Sequence, residues 1–162
     1  ECLSLVKTRK ADFAVTFVGE HHRELISQPL CSDSFYVVCS TDHPLAASKK
    51  LRQQDILAHP VIQFVRSTSI RQHLDAWFYP EKLITHMEVC NLSTVAGLVA
   101  NNMGISIVPG LSLFLYTKPD IAIIPLELEV PNRMICLVQA RDRVQSVAAQ
   151  ALITHLKETI RA

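Results

Sequence analysis

Residues 64–78, FVRSTSIRQHLDAWF, place three hydroxyls and two arginines where a short apolar run gives way to a helical pattern. Arg66, Ser67, Thr68 and Ser69 sit at that handover. Free backbone N–H groups and the helix dipole favour negative charge at the start of a helix. A hydroxyl can give or accept a hydrogen bond, and a guanidinium grips a carboxylate through two parallel bonds. The chemistry on offer is capture of an anion. The competing use is capping of the helix by Thr68 or Ser69, but one cap needs one hydroxyl and three are present. Arg71, on the polar side of the helix, is read as solvated. A second handover, Asn91-Leu92-Ser93-Thr94, offers the same groups, with capping by Asn91 or Ser93 as the alternative. The third candidate is Ser106 in GISIVP (104–109). It does not form a nucleophile elbow, because Val108 stands where the G-x-S-x-G pattern needs glycine and the segment runs from helix to strand. Ser106 is read as a wall residue of the site or a buried, satisfied hydroxyl.

Other chemistry finds less support. The paired His21-His22 lies in a polar stretch and HHRE is not the H-E-x-x-H pattern of a zinc hydrolase. The histidines have no evident catalytic partner, so no catalytic residue is assigned. Glycine occurs only at positions 19, 97, 104 and 110, which leaves no phosphate-cradling loop, and no cofactor is expected. The five cysteines, Cys2, Cys31, Cys39, Cys90 and Cys136, form no CxxC pair, so no metal site is expected. Most lie in apolar runs, as buried reduced thiols do, which favours a reducing cytoplasm. The net charge is +1, with no Lys/Arg run longer than two residues, so the chain itself is not expected to grip DNA. No apolar stretch approaches the roughly 20 residues of a membrane span.

The elements that must position these groups follow from periodicity. With 49% apolar residues the chain can fill a core. Strands are expected at 11–18, 35–40, 61–65, 86–90, 105–109, 121–126 and 133–140, those at 11–18 and 105–109 buried, with Glu20 to Ser27 as a polar loop. Ile70, Leu74, Trp77 and Phe78 form one helix face ended by Pro80. Val95, Leu98, Val99 and Met103 form another, with Gly104 as the left-handed residue that closes it. Short helices are expected at the start of the chain and at 112–116, and a terminal helix carries Val147, Ala148, Ala151, Leu152 and Leu156. Strands alternate with helices, and several strands are continuous apolar runs. That pattern indicates an α/β fold with sheets covered on both faces.

The order of LVKTRKADFAVTF, FYVVCSTDHPLA, FVRSTSIRQHLDAWF and EVCNLSTVAGLVANNMGISIVP, closed by RMICLVQARDRVQSVAAQALITHLKETI, resembles the effector-binding domain of LysR-type transcriptional regulators. The similarity spans essentially the whole chain. Two departures concern turns: Asn102-Met103-Gly104 replaces a turn that usually carries two glycines, and Lys10 stands for the usual glycine before the Asp-led strand. The resemblance implies two Rossmann-like lobes with an interlobe cleft, of the periplasmic-binding-protein type 2 kind. Lobe I, incomplete, would hold residues 1–59 plus 127–162 and lobe II residues 60–126, with hinges near Pro60 and Pro125–Leu126. It further implies a ligand-sensing domain that binds a small, anionic effector between the lobes and does no catalysis. DNA would be reached through an N-terminal domain outside this sequence, within a homo-oligomer. The rival readings are a solute-binding protein for uptake and a small hydrolase using Cys90 or Ser106.

A complete domain of this family would begin with a further strand–helix–strand unit, so an N-terminally truncated lobe I is expected. Its sheet would then pair abnormally with a second copy or borrow a strand. Size-exclusion chromatography of the chain should show a dimer or larger species; a well-behaved monomer counts against this expectation.

Overall fold

The computed structural model describes residues 2–17, 23–127 and 133–161. The chain forms two compact units: Glu1–Asp33 with Arg133–Ala162, and Ser34–Asn132. They part at 33/34 and 132/133 rather than at the 59/60 and 126/127 expected for the lobes. Strand pairing explains the difference. Residues 35–40 are hydrogen-bonded into the sheet of the second unit, and Leu51 bridges Leu126. The expected hinges therefore fall inside that unit. The Pro60 carbonyl accepts from Ile105 N–H, and Leu126 N–H donates to the Phe35 carbonyl.

The first unit is a three-stranded antiparallel sheet. β8 (Arg133–Ala140) lies between β1 (Phe13–Phe17) and β2 (Leu25–Asp33). α1 (Cys2–Lys7) packs Val6 against Leu25, Cys136 and Val138. β1 is half-buried rather than buried, as befits an edge. β2 is a nine-residue strand that begins inside the expected loop; residues 20–22 of that loop lie outside the described residues. Pro29 is accommodated because β2 is also an edge strand and its register shifts between Pro29 and Cys31. α5 (Val147–Arg161) is tied to β1 through its lead-in. Arg143 reaches Asp12 at 2.6 Å and the Ala11 carbonyl at 2.9 Å, and Gln145 donates to the Asp12 carbonyl.

The second unit carries the candidate site. β3 (Phe35–Ser40) pairs antiparallel with β6 (Ser106–Pro109) and β7 (Ile121–Pro125). β4 (Val61–Phe64) pairs parallel with β5 (Thr85–Val89), and a parallel bridge from Val61 to Ile105 joins the two sheets in the order β5-β4-β6-β3-β7. Both faces are covered, as the apolar runs predict. One face packs Phe35, Val37, Cys39, Ile107 and Ile124 against Leu74 and Phe78 of α3 (Ser69–Phe78) and Ile56 of α2 (Gln53–Leu57). The other packs Val38, Ile62, Phe64 and Val108 against Val95, Ala96 and Val99 of α4 (Leu92–Ala100). Trp77 joins the first core, as its spacing predicts, and meets Phe78 edge-on. His73, on the same helix, stacks on Phe35 at 5.4 Å.

Two helix ends correct the expectations. At the end of α4, Asn102 and not Gly104 is the left-handed residue, with φ 54°. Its N–H donates to the Val99 carbonyl, and Met103 N–H donates to the Leu98 carbonyl, which completes a Schellman motif. Gly104 serves a different need. Its φ is +140°, and a Cβ there would lie 3.3 Å from the Pro60 carbonyl oxygen. At the end of α1 the same motif puts Arg9 at φ 59°, with Arg9 N–H on Val6 and Lys10 N–H on Leu5.

These positions predict opposite effects. Left-handed backbone costs a side chain about 1–2 kcal/mol, and glycine gives back about 0.5–1 in chain entropy. Arg9→Gly should raise the unfolding free energy by about 0.5–1 kcal/mol. Gly104→Ala should lower it by about 1–3 kcal/mol. Urea unfolding followed by circular dichroism measures both.

Candidate functional site

β4 and β5 run side by side in the same direction, and their last residues, Phe64 and Val89, are in register. Val65 N–H donates to the Val89 carbonyl at 3.0 Å, so the pairing continues one residue beyond β4. The loops after the two strands therefore emerge together. Each leads straight into a helix, α3 at Ser69 and α4 at Leu92. The fold thus gathers Arg66, Ser67, Thr68 and Ser69 with Asn91, Ser93 and Thr94 along one edge of the sheet.

The two helix starts are finished differently. Thr68 is the N-cap of α3. Its hydroxyl accepts from Arg71 N–H at 3.2 Å and donates to the Val65 carbonyl at 2.9 Å. Capping is thus the role the structure gives Thr68. Ser67 is exposed and Ser69 half-buried; neither hydroxyl has a protein partner among the described residues. Arg66 is exposed, with no ion pair among those residues. At α4, Asn91 has the extended backbone of an N-cap, φ −123° and ψ 138°, but its side chain makes no capping bond. Its carboxamide is exposed beside the N–H groups of the first turn, and so are the hydroxyls of Ser93 and Thr94. The start of α4 is anchored from behind by Tyr116, whose hydroxyl donates to the Leu92 carbonyl at 3.0 Å. Burial pushes that phenol above its ordinary pKa.

Ser106 leaves the expected set. It is 0% exposed, and its hydroxyl donates to the Ile62 carbonyl at 2.7 Å. A hydroxyl sealed between β6 and β4 neither lines an open edge nor acts as a nucleophile. The buried, satisfied alternative is the one the fold adopts.

Arg71 is the residue that periodicity misplaced. It is only 6% exposed. Its Nε donates to Asp75 at 2.8 Å, and its Nη1 donates to Glu88 at 2.8 Å and to the Phe64 carbonyl at 3.1 Å. Burial by itself lowers the guanidinium pKa, but the hydrogen bonds and charges of Asp75 and Glu88 outweigh it and the net shift is upward. The side of α3 that reads as polar is turned toward β5 rather than toward water. The Arg71–Asp75 spacing of four was visible in the sequence; the partner on β5 was not. Elsewhere, His43 caps the turn Pro44–Ala47 by accepting from Leu45 N–H at 3.2 Å. Burial, and then the charge of His59, lower its pKa. His21 and His22 lie outside the described residues.

The family model described as "LysR substrate binding domain" matches residues 1–161. The HTH-type transcriptional regulator YbhD of Escherichia coli (strain K12) is 32% identical over 154 residues, covering 92% of this chain and 48% of that protein. The chain spans about half the length of the curated relatives it matches. Among solved structures, the effector binding domain of QuiR in complex with shikimate superposes with a TM-score of 0.86 at 22% identity, covering 98% of this chain and 76% of that one. The regulatory domain of CcmR from Synechocystis PCC6803, in complex with 2-PG, gives 0.85 at 17% identity, with 98% and 77% covered. These likenesses establish the fold, a mixed α/β architecture shared with LysR-type effector domains.

The buried clamp makes a stability prediction. Arg71→Ala strands the Phe64 carbonyl, while Asp75 and Glu88 are exposed enough to rehydrate. The cost should be about 2 kcal/mol, below that of breaking a fully buried pair. Arg71→Lys, which keeps the charge but loses the fork, should fall between the two. Urea midpoints of the three proteins provide the measurement.

Proposed function

The chain belongs to the LysR substrate-binding-domain family, and from that premise we propose that it is the ligand-sensing part of a DNA-binding transcription regulator. It takes a small anionic effector along the edge formed by residues 66–69 and 91–94. The observation that carries this reading is the Val65–Val89 hydrogen bond, which sets two helix starts side by side with unpartnered donors. A helix start favours an anion beside it by about 0.3–1 kcal/mol, and by up to about 2 where partly buried. Asn91, Ser67 and Ser69 supply side-chain hydrogen bonds, and Arg66 supplies charge. The shikimate bound by the QuiR domain is itself a carboxylate.

In this reading the domain performs no reaction. The effector changes the domain's arrangement only by binding one arrangement more tightly than another. The change is read out by DNA-binding arms, outside this sequence, in a homo-oligomer. The described residues include no helix long and apolar enough to cross a membrane. The reading places the protein in the cytoplasm, where its cysteines stay reduced.

Titration calorimetry with a panel of small carboxylates, sulfate and phosphate tests the assignment. Ser67→Ala and Asn91→Ala should each weaken the best ligand about three- to tenfold, one hydrogen bond's worth. Thr68→Ala should lower stability by about 1 kcal/mol, since its hydroxyl is spent on the cap. Unchanged affinity in both Ser67→Ala and Asn91→Ala would reduce this edge to two ordinary helix starts.

A further inference from the structure

A cavity of about 380 Å³ lies on the α3 side of the β4/β5 pair, within the second unit. Its volume is in the range of small-molecule sites. Phe78 and Leu83 line it with apolar surface, and Gln63 and Thr85 line it from the strands. Arg66 and Lys82 also line it, both exposed and without an ion pair among the described residues, and so do two carboxylates, Asp75, which is paired with Arg71, and the exposed Glu81.

Gln63 is the unusual member. Val61, two residues earlier on β4, belongs to the apolar core on the α3 side, and strand alternation sends Gln63 to the same side. An apolar residue there would serve the core without penalty. Gln63 is instead 4% exposed. Its Nε2 donates to the Thr85 hydroxyl at 2.6 Å, and its Oε1 is buried with no partner among the described residues. A stranded polar atom of this kind costs about 1–3 kcal/mol. Turning the carboxamide over merely exchanges the stranded oxygen for a stranded N–H. A hydroxyl, which both donates and accepts, satisfies either orientation. Arg71, also in the lining, is already committed to Asp75, Glu88 and the Phe64 carbonyl.

We propose that this cavity is a second ligand site, separate from the strand-end edge, that takes a small hydroxylated carboxylic acid. The ligand's hydroxyl meets the Gln63 carboxamide, its carboxylate meets Arg66 and Lys82, and its carbon skeleton lies on Phe78 and Leu83. The site spans the end of α3, β4 and β5, so occupancy ties the helix to the strands that position the edge. Arg66 borders both places, so Gln63, Lys82, Leu83 and Thr85 are the diagnostic residues.

The test is amide proton–nitrogen NMR of the full chain titrated with mandelate, malate and lactate, beside phenylacetate, succinate and propionate, which lack the hydroxyl. At least one hydroxy acid should shift the amides of Gln63, Leu83 and Thr85 and bind about tenfold more tightly than its matched acid, the worth of one buried hydrogen bond. Gln63→Leu should abolish that preference. Lys82→Glu, on the exposed rim where folding is not at risk, should weaken every acid that binds there. Three results overturn the proposal: no shift at these residues with any acid, a hydroxyl preference that survives Gln63→Leu, or binding indifferent to Lys82→Glu. Shifts confined to residues 67–69 and 91–94 would also overturn it while supporting the effector edge.

Discussion

The carbonyl of Phe64 sets the terms for the second unit. It is the last residue of β4, and its carbonyl is taken by the guanidinium of Arg71, the third residue of α3. A single side chain thereby fixes the helix to the strand from which it grows, and through Glu88 to the neighbouring strand as well. The loop between, residues 65–68, is closed at both ends. Val65 is held by Val89, and Thr68 holds both the Val65 carbonyl and Arg71 N–H. Such a loop has little conformational freedom left to lose.

The two helix starts are unequal partners in that edge. α3 is sealed by its own threonine, so its contribution is the dipole together with the free hydroxyls of Ser67 and Ser69. α4 has the backbone of a capped helix without the cap, and its first-turn N–H groups keep their hydrogen-bonding capacity. Capping Asn91 would have stabilised the helix by about 1 kcal/mol. Leaving it open is tolerated because α4 is held from below by Val95, Ala96 and Val99 and from behind by Tyr116. Packing energy maintains a helix end that local bonding leaves unfinished.

Much of this was legible in the residues. β3, β4, β6 and β7 announce themselves as apolar runs because both faces of their sheet are covered, and α3 and α4 show their buried stripes. The strand-to-helix junctions fell where hydroxyls follow apolar runs. What escaped has a common cause: the information was not local. Arg71 lies on the polar side of its helix by spacing, but spacing does not say that a glutamate on β5 faces that side. β2 was obscured by Pro29 and polar neighbours, which an edge strand admits and a central one does not. The division of the chain depended on β3 pairing with β6 and β7, some seventy to ninety residues away, and hydrophobic periodicity carries no record of partners. For Ser106 the residues left two readings open, a wall of the site or a buried, satisfied hydroxyl, and only the partner strand, with the Ile62 carbonyl on it, decides for the second.

One rung of the first unit fixes the ends of two of its strands. Asp33 ends β2 and Arg133 begins β8, and the two stand opposite each other in the ladder. The first crossing to the second unit leaves directly from that rung, since Ser34 alone separates β2 from β3. The other crossing arrives at it. Asp33 is buried, and its charge partly offsets the desolvation that lowers the Arg133 pKa. Arg133 also lies over the Phe17 ring on β1, so the rung is braced across the sheet. The ladder between β2 and β8 therefore runs to the last residue of β2, and the sheet of the first unit is held together up to the point where the chain leaves it.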